Sequence, residues 1–225
     1  MRNALRLERL KHVYAAAAGH YDFEHALLTA RSDQRGRRLI VEHAVEAGDR
    51  VLDCGAGTGS TAMLAASKAG SEGRVTLFDV SEQMLAEAKA KGERAGLVDR
   101  LEFRIGDMVR LPFEDDSFDA VLSSYSICPL YDPVKGALEM LRVLKPGGLL
   151  GAAHSTEPEN RLLRWAADAV ESAVWHLPSV SLGCRAVSVL PALEAAGARL
   201  VYRRTIGVPL WPFLVLVVEK PSERP

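Results

Sequence analysis

Between residues 49 and 153, short apolar runs alternate with stretches whose apolar residues recur at helical spacing. The runs cover residues 49–53, 74–79 (RVTLFD), 101–107 (LEFRIGD), 118–126 (FDAVLSSYS) and 149–153; the helical stretches cover 60–69, 81–96 and 133–143. Ser81 has the character of a helix N-cap, with Met84, Leu85 and Ala88 on one face behind it. KPGG at 145–148 reads as the turn that opens the fifth strand. Such alternation demands βαβ units with right-handed crossovers, and so an α/β fold built on a parallel sheet.

The ends of the chain depart from this rhythm. Residues 2–18 and 34–47 carry helical spacing, as do 159–175 and 187–196, and two strands, 199–206 and 212–219, follow with no helix between them. GVPLW is too short for a crossover, which makes this last pair an antiparallel hairpin added to the sheet. No repeat, low-complexity tract or linker divides the chain. It reads as one domain of 225 residues: a helical extension or lid at 1–47, a ligand-binding core at 48–153, and acceptor-pocket helices with the final hairpin at 154–225.

Composition removes several classes of function. Lys plus Arg number 28 against 29 Asp plus Glu, so the chain lacks the basic footprint of a nucleic-acid binder. Cys54, Cys128 and Cys184 are odd in number and widely spaced, which suggests neither a disulfide framework nor a structural zinc site. The first residues do not read as a secretory signal, and the apolar run 213–218 is too short to span a bilayer. A cytoplasmic location is the simpler expectation, and oligomeric state is left open.

The first run enters VLDCGAGTGS, where glycine stands at 55, 57 and 59. A glycine-rich turn between strand and helix lets backbone N–H groups approach a ligand in the crevice at the strand ends. A dinucleotide fingerprint of the form GxGxxG would need its third glycine at residue 60, which is Ser60. The pattern is instead DxGxGxG, opened by Asp53, whose carboxylate repels a pyrophosphate and holds an ammonium group. No Lys-Ser or Lys-Thr follows to make a P-loop.

DCGAGTG, the acidic strand end at Asp79 in FDVSEQML, GDMVRLPFEDDSFDAVLSS and LRVLKPGG together resemble the class I S-adenosylmethionine-dependent methyltransferases, in the branch of the ubiquinone and menaquinone biosynthesis methyltransferases. The resemblance runs from about Tyr14 to Gly151. It implies a Rossmann-like three-layer sandwich with a seven-stranded sheet in the order 3-2-1-4-5-7-6, and S-adenosyl-L-methionine as cofactor. Asp53, Gly55, Gly57 and Gly59 would then line its methionine and sugar, and Asp79, 26 residues after Asp53, would accept both ribose hydroxyls. Val80, Met84, Asp107, Met108 and Ser124 complete the expected cofactor contacts, Met84 being equally suited to fill core.

The implied reaction is displacement at a methyl carbon on sulfonium, which asks the protein to align an acceptor and exclude water. Residues expected to face the methyl are His154, Tyr21 and Tyr125, and His20 and His176 are also candidates. After the fourth strand this chain reads SICPLYDP where the quinone C-methyltransferases carry a Gly-x-Arg-Asn-like sequence, so the acceptor stays open between a quinone or phenol, a phospholipid amine and a thiol. Trp165, Trp175, Trp211 and Phe213 suit an apolar small molecule. The first helix mixes Arg2, Arg6, Arg9 and Lys11 with Leu5, Leu7, Leu10 and Val13, fitting a lid or a peripheral membrane contact. The rival readings are a noncatalytic cofactor-binding partner subunit, a nicotinamide oxidoreductase and a nucleic-acid methyltransferase. An intact first motif and ribose acid weigh against the first, DxGxGxG against the second, and balanced charge with no Asn-Pro-Pro-Tyr-like sequence against the third.

Overall fold

A computed structural model of the chain describes residues 6–22, 29, 32–175 and 184–222. Two helices, α1 (Leu7–Ala17) and α2 (Ser32–Ala44), precede the alternating core. The core runs β1 (Arg50–Cys54), α3 (Ser60–Ala69), β2 (Arg74–Asp79), α4 (Glu82–Arg94), β3 (Leu101–Ile105), β4 (Phe118–Ser124), α5 (Pro133–Val143) and β5 (Leu144–Ser155). It is followed by α6 (Arg161–Trp175), α7 (Leu190–Ala195), β6 (Arg199–Val208) and β7 (Trp211–Glu219).

All seven strands form one sheet in the order β3-β2-β1-β4-β5-β7-β6. The first five are parallel, while β7 runs antiparallel to both β5 and β6. The expected hairpin is present and tighter than its sequence suggested: Val208 pairs with Trp211, leaving Pro209 and Leu210 as the turn. Inner strands are buried on both faces, which explains unbroken apolar runs such as Val215–Val218 in β7. One face packs against α2, α3 and α4 through Ile40, Ala62, Ala65 and Leu85; the other packs against α5 and α7 through Ala137, Met140 and Leu193. Gly151 of β5 lets α2 come close, since a Cβ there would lie 3.1 Å from Ile40 and Ala44.

Several boundaries differ from the sequence reading for identifiable reasons. KPGG is no turn before the fifth strand but a bulge inside it, between the pairs Phe118–Leu144 and Ala120–Leu149. Gly147 takes φ +77° there, and its N–H and the carbonyl of Gly148 bond to Lys220, a partner from the far end of the chain. The third strand stops at Ile105, just before Gly106, where a Cβ would lie 2.4 Å from the Phe78 ring, and the fourth stops at Ser124 where Tyr125 turns to φ 60°. The helix expected over 187–196 begins only at Leu190, since the Val187 N–H is taken by the Ser155 carbonyl. Of the first helix, Arg2 and Leu5 lie outside the described residues, as does His176.

Candidate functional site

The sheet order reverses between β1 and β4, and the loops leaving the C-terminal ends of β1, β2 and β4 open there into a crevice. Gly55 and Gly57 come from β1, Asp79 and Val80 from β2, and Ser124, Tyr125 and Ser126 from β4; Met108, beyond β3, also lines it.

Each glycine of the DxGxGxG turn has its own physical reason. A Cβ on Gly55 would lie 2.3 Å from Ser126 Cβ, because the chain leaving β4 presses on the turn. A Cβ on Gly59 would meet Ala88 of α4 at 2.9 Å, so that glycine serves the packing of the helix it caps. Gly57 has φ +52° and no atom within 4 Å of its would-be Cβ; it faces the crevice. Two glycines thus shape the turn and the third leaves a bare backbone toward a ligand.

The acids divide in a similar way. Asp79 closes β2, and its Oδ2 accepts the Gly57 N–H at 2.8 Å while Oδ1 accepts the Ser81 N–H at 2.9 Å. Burial raises its pKa against these bonds. A carboxylate offers about four lone-pair sites, so further acceptor capacity faces the crevice. Asp53 is fully buried in the central strand, and neither of its oxygens has a hydrogen-bond partner among the described residues. Burial pushes its pKa up to about 7, with the positive charge of Arg37 pulling the other way. The Ala62 N–H and Arg37 offset only part of the cost of burying this carboxylate, and a nearby cation would offset more.

Tyr21 and Tyr125 both line the crevice. Burial raises their phenols well above the usual range, so at neutral pH they donate hydrogen bonds and do not act as bases. Tyr125 directs its O–H to the Ser32 carbonyl at 3.3 Å and stacks edge-on against Phe213. Other expected residues fall elsewhere. Met84 lies beneath the N-terminal segment against Ala18 and Tyr21, in core. Asp107 accepts the Val109 N–H and the Tyr131 hydroxyl, outside the crevice lining. His154 is fully buried on β5, opposite Leu214, with Nδ1 3.0 Å from the Ser155 carbonyl. Burial lowers its pKa, and it does not reach the crevice. His20 is exposed.

Of the first helix, expected as a lid or a membrane contact, Leu7 and Leu10 line the crevice, and Tyr14 beside them was not singled out from the sequence. Leu7, Leu10 and Tyr14 of α1 lie across the crevice with Tyr21, reducing it to a cavity of about 50 Å³. Asp22 secures this segment: its Oδ2 accepts Lys91 Nζ at 2.6 Å, and its Oδ1 accepts the Thr58 hydroxyl at 2.6 Å. Arg37 is the other omission, paired to Asp33 at 2.6 Å in the buried layer, with its guanidinium 5.7 Å from the Tyr125 ring centre. An Arg in an amphipathic helix gives no sign of facing inward until its acidic partner four residues earlier is recognised.

The bare Gly57 backbone, a ribose-type acid at the end of β2, an unpaired carboxylate beneath the turn and the Met108 side chain fit the hydroxyls, ammonium and flat base of S-adenosylmethionine. A sequence profile of the ubiE/COQ5 methyltransferase family matches residues 2–180. The chain belongs to that family. It is an S-adenosylmethionine-dependent methyltransferase of the class I fold. The ubiquinone/menaquinone biosynthesis C-methyltransferase UbiE of Pseudomonas putida is 32% identical over 173 residues, which are 76% of this chain and 68% of that protein. The demethylmenaquinone methyltransferase of Clavibacter sepedonicus is 42% identical over 157 residues, 68% of this chain and 61% of that protein. Geranyl diphosphate C-methyltransferase from Streptomyces coelicolor, solved with S-adenosyl-L-homocysteine, shares the fold at a TM-score of 0.68 and 14% identity, over 83% of this chain and 76% of that one.

Proposed function

We propose that this methyltransferase acts on a small apolar ring of the phenol or hydroquinone class. The observation that carries the reading is the lining of the crevice: Leu7, Leu10, Pro129 and Leu130 supply an apolar wall, and Tyr14, Tyr21 and Tyr125 supply aromatic rings for an apolar ring to pack against. The names of the ubiquinone/menaquinone and demethylmenaquinone relatives support the same acceptor class. The C-methylation named for the ubiquinone/menaquinone relative is carried over with the acceptor.

S-adenosylmethionine supplies an activated methyl group on a sulfonium, so the chain's own residues need only bind, align and exclude water. In this reading Asp79 accepts the ribose hydroxyls, Asp53 attracts the ammonium through the turn, Val80 and Met108 flank the base, and α1 closes over the reacting atoms. Leu10 of α1 is buried toward the site, which favours the lid over a membrane contact for that helix. No helix among the described residues is long and apolar enough to cross a membrane, and a cytoplasmic location is part of the proposal.

The test is methyl transfer from radiolabelled S-adenosylmethionine to a reduced demethylnaphthoquinone with a short isoprenoid tail, beside phosphatidylethanolamine. Label in the hydroquinone ring is expected, and label only in the phospholipid overturns the acceptor class. Asp79→Ala separates the binding half of the reading: loss of charge-assisted bonds should weaken cofactor affinity by roughly 1.5–3 kcal/mol in calorimetry. Unchanged affinity would remove Asp79 from the ribose.

A further inference from the structure

A second cavity, of about 360 Å³, opens beyond the C-terminal end of β5, and no residue lining it also lines the cofactor crevice. Its size falls within the range of small-molecule sites. Ser155 at the end of β5 and Thr156 just after it border the cavity, and Trp165 of α6 and Trp211 of β7 contribute aromatic surface. Trp165 is 77% exposed, an unusual place for a large ring unless something covers it.

The charges around the cavity do not cancel. Arg161, Arg164 and Arg185 line it with Glu157 and Asp168. Arg164 Nε lies 3.3 Å from Glu157 and also donates to the Pro158 carbonyl, which removes one cation and one acid from account. Asp168 is engaged in an interaction of its own. Arg185 donates through Nη2 to the Leu130 carbonyl at 2.9 Å, while its buried Nη1 has no partner among the described residues. A guanidinium cannot shed its charge, and its planar fork matches a carboxylate through two parallel bonds. Tryptophan faces and an arginine fork together select a flat ring that carries an acid.

We propose that this cavity binds a planar aromatic carboxylic acid, its carboxylate held by Arg185 and Arg161 and its ring set against Trp211 and Trp165. The inference goes beyond the methyl-transfer reading and does not rest on it, because its test reads binding alone. Arg185 also forms the partition between the two sites, since the carbonyl it grips belongs to Leu130 of the crevice wall. A molecule in the second cavity thus touches a residue that is bonded to the wall of the first.

Calorimetry and tryptophan fluorescence on the full chain should compare 1-hydroxy-2-naphthoate with 1-naphthol, a pair that differs in the carboxylate. The acid should bind about tenfold more tightly or better, and Arg185→Met should bring it to the level of the naphthol. Arg161→Gln changes an exposed side chain, leaves folding intact and should weaken the acid several-fold even where Arg185→Met fails to fold. S-adenosylhomocysteine should not displace the acid. Equal affinity for the two probes, indifference to Arg161→Gln, or displacement by S-adenosylhomocysteine would each overturn the proposal.

Discussion

Asp53 shows how one side chain can link fold, cofactor and pH. Its carboxyl is raised to about 7 by burial, whereas the same group in the unfolded chain titrates near 4. The folded state therefore holds its proton more tightly, and the stability this group contributes declines as pH rises from about 4 to about 7, then stays level. If Asp53 attracts the cofactor's ammonium as proposed, cofactor binding runs the opposite way, because an ammonium requires the ionised form. Affinity for S-adenosylmethionine should rise roughly tenfold between about pH 6 and pH 8, and Asp53→Asn should flatten that profile. Calorimetry at the two pH values decides it; an Asn variant that keeps the rise would assign the titration elsewhere. Asp53 was legible from the motif because a strand-end acid before three glycines is a chemical pattern. Met84 and Asp107 could not be placed from sequence alone, since a helix-face methionine suits core or ligand equally and the hydroxyl of Tyr131 that engages Asp107 comes from another part of the chain.

Elements were legible wherever periodicity and a local stop agreed. The helices at 60–69 and 133–143 and the strand at 74–79 have the expected limits, each closed by a glycine, an aspartate or the Asp132 cap. What failed was any feature completed by a distant partner, such as the β5 bulge that Lys220 satisfies. For α1 the sequence offered a lid or a membrane contact without deciding between them, because an amphipathic helix does not announce what it covers. Its attachment through Asp22 and Lys91 is testable. That pair is only partly buried, at 45% and 25% side-chain exposure, so Asp22→Asn should cost less than about 1 kcal/mol of stability. It should nevertheless speed cofactor dissociation several-fold in stopped-flow displacement, because the charge that ties the segment to Lys91 is lost. A dissociation rate equal to the parent's would show that α1 does not govern access.

At the scale of the molecule, β7 joins two halves: β5 on one side and β6 on the other depend on it for their ladders. Leu216 sits fully buried at its centre, on the face packed against α5 and α7. Leu216→Ala should destabilise the protein by about 2–5 kcal/mol in urea, shifting Trp fluorescence and far-UV circular dichroism together. Separate transitions would mean that the hairpin folds as its own unit. The place of β7 also bears on how the protein is made. It is translated after the other six strands, yet it lies inside the sheet, so while the ribosome is still delivering residues 156–210 the β5 backbone has one flank unpaired, beside apolar Leu150 and Ala152. That interval is when a nascent chain of this topology most needs a chaperone, and slow codons placed ahead of β7 would lengthen it.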